Sequence, residues 1–320
     1  MGDQTGYLRC ARVFFTLRFL ASGVVSRYWP NTLRGGFGMA LRETSCVMKR
    51  DTCDHCALRR KCAYGYLFET PIVETDSVMR LYTQAPHPFV MEGTDSSTPL
   101  VQTGQTGVIR MVLIGEAHRF LPYIFLAFQR LGEWGLGRDA VPFEITRVDD
   151  EDGRTLYDGA DISPKLDALK PRHLQVDPGP GREDTFTIQF VTPLRLQVDG
   201  RITRRPDLTA LVAALNRRVF LLRYFHENFR DDHFASCHIP VAEYVRIIRS
   251  NLRWVDMSRI STRQQREVPI GGVTGFMRCE GDIGSLEPLL RAGEYVHVGK
   301  NATFGLGEIR LLVGDQPCQA

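Results

Sequence analysis

Between Gly293 and Arg310 the chain reads GEYVHVGKNATFGLGEIR, and here residue types and spacing first suggest chemistry. His297 and Lys300 stand three positions apart, with Asn301, Thr303 and Phe304 beside them and Gly293, Gly299, Gly305 and Gly307 interspersed. A histidine can move a proton near neutral pH, and a lysine is a compact cation suited to a phosphate. Glycine N–H groups are unshielded and reach positive φ at small cost, so such a loop can close on a polyanion. The same glycines would serve a tight turn for geometry alone, because one glycine-rich turn is weak evidence of a site. Lys300 favours the functional reading: it is one of five lysines, and the other four all precede Arg172.

A second stretch, CVMKRDTCDHCALRRKCAYGYLFE from Cys46 to Glu69, carries four of the eight cysteines. Cys46, Cys53, Cys56 and Cys62 follow the spacing C-x6-C-x2-C-x5-C, which offers a structural zinc to a segment too short and polar to fold alone. Four protein ligands would close the coordination sphere, so the metal would not be catalytic. An iron–sulfur cluster, four ordinary thiols, or three cysteines with His55 are the alternatives. Clustered and scattered thiols together suit a cytoplasmic chain better than a secreted disulfide framework.

The elements that must position these residues come from periodicity and charge. A chain of 320 residues, 43% hydrophobic, can bury two ordinary cores, and no run of eighteen apolar residues suggests a membrane span. The net charge of +3 hides a division. Arg201 to Arg266 holds thirteen arginines against six acids, an excess of seven that leaves the remainder at −4. Such a segment reads either as a footprint for phosphates or as a solvated arginine-rich face.

Alternating Val13, Phe15, Leu17 and Phe19 predict a central strand over Tyr7 to Leu20. Thr32 to Arg42 would be an odd helix, because Gly35, Gly36 and Gly38 weaken it and imply close packing on its backbone. Further strands are expected at Phe89–Met91, 108–115 and 143–148, with a helix over Leu121–Leu131 between the last two. Asp149 to Arg182, acidic and then rich in proline and glycine, reads as a linker. Beyond it come a strand (Thr185–Thr192), a helix capped by Asp207 with Leu208, Leu211, Leu215, Val219, Leu222 and Phe225 on one face, a strand (Gly272–Cys279), a helix (Ser285–Arg291) and a last strand (Glu308–Val313). Arg217, Arg218 and Arg223 fall off the apolar helix face. The two halves repeat one another: GVIRMVLIGEA, a helix and GEWGLGRDAVPFEI answer GVTGFMRCEGD, a helix and GKNATFGLGEIRLL. The expected architecture is α+β, a βαββαβ ferredoxin-like unit twice over. Residues 1–170 form the first domain with a Cys-rich insertion at 46–69, and residues 183–320 form the second with the glycine-rich loop at 293–307.

On FTLRFLA, CAYGYLFET, GEAHRFLPY with GLGRDAVPF, FTIQFVTPLRL, RISTRQQ, GGVTGFM and HVGKNATFGLG, the chain resembles the CRISPR-associated endoribonucleases of the RAMP superfamily, specifically the Cas-six family. The resemblance spans nearly the whole chain. It implies RRM-like domains and cleavage of precursor CRISPR RNA without a metal or other cofactor, by attack of a ribose 2′-hydroxyl on the adjacent phosphate. Many members place a catalytic histidine on or near the first helix; Tyr28 to Glu43 contains none, and Tyr28 and Arg34 are the candidate donors there. His297 and Lys300 become the leading catalytic candidates, ahead of His55 and His118. The implied RNA contacts are Arg259, Arg263, Gln264 and Arg278 with Gly299, Asn301, Phe304, Gly305 and Gly307 of the loop; Phe304 could stack on a base or pack in the core. Repeat RNA and other Cas effector subunits are the implied partners, with no membrane. A non-cutting RNA-binding subunit of an effector complex is the alternative, and a zinc-dependent regulator a third.

Overall fold

The computed structural model describes residues 6–49, 52–70, 85–93, 98–159, 165–227, 244–261 and 266–314. Arg263 and Gln264 lie outside them. The first half runs β1 (Tyr7–Phe19), β2 (Gly23–Val24), α1 (Trp29–Ser45), α2 (Ala63–Phe68), β3 (Phe89–Glu92), β4 (Leu100–Val101), β5 (Thr106–Ile114), a 3-10 turn, α3 (Leu121–Trp134), β6 (Phe143–Asp150), β7 (Thr155–Tyr157) and β8 (Arg172–Gln175). The second half runs β9 (Glu183–Leu194), β10 (Gln197–Val198), β11 (Arg201–Ile202), α4 (Leu208–His226), β12 (Val245–Val255), β13 (Ser258–Ser261), β14 (Arg266–Pro269), β15 (Gly272–Asp282), α5 (Glu287–Val296) and β16 (Ile309–Val313).

The first sheet is ordered β3-β5-β1-β6-β7 and the second β12-β15-β9-β16. In both, the second, third, first and fourth strands of a βαββαβ unit lie side by side, so each half is a ferredoxin-like fold and the architecture is α+β as expected. One compact unit takes Arg9–Arg172 and Phe225–Glu227; the other takes the described residues of Met1–Leu8, His173–Tyr224 and Asn228–Ala320.

In the first unit the alternation of β1 sends Val13, Phe15, Leu17 and Phe19 into the core, where all four are fully buried. Phe15 meets Phe128 of α3 at 4.9 Å between ring centroids, and Phe128 stacks on Phe37 of α1 at 5.0 Å. The helix at α1 forms despite its glycines because the packing uses one of them. A Cβ on Gly36 would come within 2.5 Å of a Leu131 methyl, so α1 and α3 approach through that gap, whereas Gly35 faces open space.

In the second unit Phe186, Ile188 and Phe190 of β9 join Met277 and Cys279 of β15 and Ile309 and Leu311 of β16 on one buried face. Helices α4 and α5 cover it. Leu208, Leu211, Leu215, Val219 and Leu222 are buried, and Asp207 caps α4 by accepting the Ala210 N–H at 2.7 Å. Gly293 of α5 sits where a Cβ would strike both Leu215 and Ile309.

Two sequence expectations fail here, and one strand was not anticipated. Asp149 to Arg182 is not a plain linker: its start closes β6, β7 pairs back on β6, and β8 pairs with β1. Arg223 does not lie off the buried face of α4, being only 6% exposed. Strand β12 has no counterpart in the periodicity, because as an edge strand with a register shift between Ile247 and Arg249 it shows no clean apolar alternation. Among the described residues no helix is long and apolar enough to cross a membrane.

Candidate nucleic-acid interface

The glycine-rich segment is a strap pinned to the ends of β9 and β16. Its backbone donors are largely consumed inside the protein: Val298 N–H bonds the Gly307 carbonyl (2.9 Å), Lys300 N–H that of Arg195 (2.9 Å) and Gly307 N–H that of Pro193 (3.1 Å). Thr192 adds a two-way clamp, its hydroxyl donating to the Gly305 carbonyl at 2.8 Å and accepting the Glu308 N–H at 2.9 Å. Gly299 and Gly307 have φ of 87° and 70°, and a Cβ on Gly307 would fall 1.8 Å from the Val298 carbonyl oxygen. The expected cradle of free glycine amides is therefore replaced by glycines that allow close turns, and what the strap offers a ligand is side chains. Gly305 (φ 79°) belongs to the same set.

His297 is the first correction. It caps α5 at φ 57°, is fully buried, and its Nδ1 lies 3.2 Å from the Leu306 carbonyl, so the ring ties the two limbs of the strap instead of facing solvent. Lys300 is exposed at the tip, with Asn301 (φ 66°) and Thr303 partly exposed beside it. Phe304 is the second correction. It is 8% exposed and covered by Arg259, whose guanidinium carbon sits 4.7 Å from the ring centroid. A base cannot take that place. Arg259 belongs to β13, and its Nε is buried without a hydrogen-bond partner among the described residues, so its charge is held beside the strap.

Other cations gather at this end of the second unit. The Arg195 Nη1 donates to the Gly271 carbonyl at 2.9 Å, and Arg204 lies 4.7 Å over the Trp254 ring. Sequence reasoning missed both; for Arg195, the signal available was an arginine three residues beyond the predicted strand end at Thr192. Not every arginine of the charged segment is free for a ligand, since Arg218 donates to the Val296 carbonyl at the C-terminus of α5 (2.7 Å). Arg278 lies apart from the strap on β15, paired in register with Thr187 and Arg249.

Tyr28 and Arg34 belong to the first unit. Tyr28 is the N-cap of α1 and is buried, while Arg34 places its guanidinium 5.2 Å from the Phe68 ring. His118 donates its Nδ1–H to the Gly115 carbonyl (2.9 Å) in the 3-10 turn before α3, and His55 is exposed. Among the described residues no three His, Cys, Asp or Glu side chains converge as metal ligands, and Cys46, Cys53, Cys56 and Cys62 are partly exposed and outside any disulfide. The Cys53 thiol is pushed up by burial, then by Glu69, against a lowering by Arg42, and further up by Cys46 and Cys62.

The doubled βαββαβ fold, with a hydrogen-bonded glycine strap carrying a lysine at its tip, defines a tandem ferredoxin-like protein. A family model described as an N-terminal domain, AF_1859_N, matches residues 8–171, and one described as CRISPR-associated endoribonuclease Cas6 matches residues 188–309. An uncharacterized protein of Archaeoglobus fulgidus is 25% identical over 294 residues, 88% of this chain and 90% of the relative. Among solved structures, Thermus thermophilus Cas6 superposes with a TM-score of 0.53 at 16% identity, over 95% of this chain and 99% of that one. A partial Cas6-RT-Cas1–Cas2 complex gives 0.53 at 14% identity, over 98% of this chain and 48% of the chain matched. Residues 188–309 are a domain of the Cas6 family of CRISPR-associated endoribonucleases by that match, and the N-terminal half is the domain of the first model.

Proposed function

We propose that the chain is an endoribonuclease that binds CRISPR repeat RNA and cuts precursor CRISPR RNA, with other Cas subunits as further partners. The observation that carries this reading is the exposed Lys300 on a strap that also seats Arg259, in a chain carrying a domain of this family. In the reaction the 2′-oxygen forms a bond to the adjacent phosphorus, the bond from phosphorus to the 5′-oxygen breaks, and a 2′,3′-cyclic phosphate and a 5′-hydroxyl result. The nucleophile is intramolecular, so no metal-activated water is called for. Lys300 and Arg259 would supply cations to the dianionic phosphorane, a contribution of the oxyanion-hole kind. His297, enclosed beneath the strap, takes no proton in this scheme; water accepts the 2′-proton and protonates the leaving oxygen.

A second reading, a non-cutting RNA-binding subunit, is favoured by the burial of His297, which leaves the strap without an imidazole on its surface. Incubation of the protein with its own repeat RNA in EDTA separates the two. A cut ending in a cyclic phosphate supports the enzyme. Retention of uncut RNA supports the binder and ends the first reading.

A further inference from the structure

The two faces of the second sheet differ in kind. One is buried under α4 and α5. On the other, strand register places Asn251 of β12 opposite Phe276 of β15, Phe276 opposite Gln189 of β9, and Gln189 opposite Arg310 of β16. Opposed residues share a face, so these four side chains form one row across all four strands. Asn251 and Arg310 are exposed; Phe276 and Gln189 are partly exposed. Arg253, exposed, and Arg249, also exposed, follow at the next positions of β12 on either side of Asn251, and the Arg249 guanidinium lies 5.9 Å from the Phe276 ring. The row contains no carboxylate, and the nearest on this face along β15, Glu280, is occupied by Arg246 at 2.6 Å. One row further along, Thr187 of β9 is 1% exposed, while its register partners Arg278 and Arg249 keep partly exposed and exposed side chains on the same face.

Phe276 is thus a partly exposed aromatic ring flanked by arginines and amides on the open face of the sheet. Gln189 is also close to the strap: Thr192 and Pro193, three and four residues along the same strand, hold Gly305 and Gly307. The distance is about 10–13 Å at the rise of an extended strand. We infer that this sheet face is a second RNA contact, on which one unpaired base beside the segment held by the strap stacks on Phe276. Asn251 and Gln189 meet the edge of the base, and Arg249, Arg253 and Arg310 meet the adjoining phosphates. The inference rests on the RNA-binding reading above and adds to it the class of RNA recognised: a single-stranded flank, not only a paired or looped core.

The test compares two repeat RNAs, one carrying its unpaired flank and one trimmed of it, against the full chain and the variants Phe276→Ala, Phe276→Tyr and the double exposed-site variant Asn251→Ala, Arg253→Ala. The alanine variants are expected to bind the flanked RNA about five- to a hundredfold more weakly. They bind the trimmed RNA as the parent does, while Phe276→Tyr keeps the parent's preference. The double variant guards against a folding defect in Phe276→Ala, since both its positions are exposed. If the parent binds both RNAs and the double variant binds the flanked one as tightly as the parent, or weakens both equally, the platform is wrong while the strap reading stands. If the parent binds neither RNA at low salt, both readings fall together.

Discussion

Lys300 and His297 stand three residues apart in the chain yet end in opposite environments, one in water and the other fully enclosed. Their substitutions should therefore separate. Lys300→Ala should lower the cleavage rate by about a hundredfold, as loss of one oxyanion donor does, with an unchanged melting temperature. His297→Ala should instead lower thermal stability, because it removes a buried tie to the Leu306 carbonyl; about 1–3 kcal/mol is expected from denaturant melts. A rate that rises steadily with pH, with no inflection in the histidine range, goes with water as the proton carrier; a bell-shaped profile would contradict it. The thiols divide the same way. Burial pushes Cys279 up to about 12, so it is a neutral thiol at pH 8 and should resist alkylation in the folded chain, whereas Cys46, Cys53, Cys56 and Cys62 are partly exposed and should label first. Counting labelled residues by mass spectrometry checks this.

At the scale of elements, the glycines that looked alike in sequence do different things. Gly36 lets two helices close, and Gly307 lets the strap pass the Val298 carbonyl in a left-handed conformation. Gly307→Ala meets backbone on one side and an unfavourable φ on the other, and should cost about 1–3 kcal/mol with visible loss of RNA binding. Phe128→Ala, at the centre of the α1–α3–β1 aromatic cluster, should cost about 3–5 kcal/mol by the cavity it leaves, with no separate effect on RNA binding while the chain remains folded. Asp282 gives a pH dependence of known sign. The Arg182 N–H, then contacts from Ser285 and Gly284, hold its carboxyl below the usual range against a small burial effect. A depressed carboxylate stabilises the fold above its unfolded pKa and loses that contribution as pH falls through the folded one. Asp282→Asn should therefore narrow its deficit relative to the parent as the pH is lowered below the ordinary aspartate range.

For the molecule as a whole, the charge excess of the arginine-rich segment predicts that affinity for repeat RNA falls steeply with salt, linearly on logarithmic axes. Lys300→Ala should reduce the slope by about one counterion equivalent. Affinity independent of salt would sink the electrostatic account. EDTA should leave both binding and cleavage unchanged.

Alternation of Val13 to Phe19, the three-four spacing from Leu208 to Leu222 and the repeated strand-helix-glycine tails were enough to read the doubled ferredoxin-like unit, because these patterns report which face of a strand or helix must leave water. The candidate site was legible only as a list. That His297 turns inward, that Phe304 is already covered by Arg259, that the cysteines do not converge, and that Asn251, Phe276, Gln189 and Arg310 line up across four strands all depend on contacts between residues far apart in the chain. Such contacts are set by register and packing, which local periodicity does not encode.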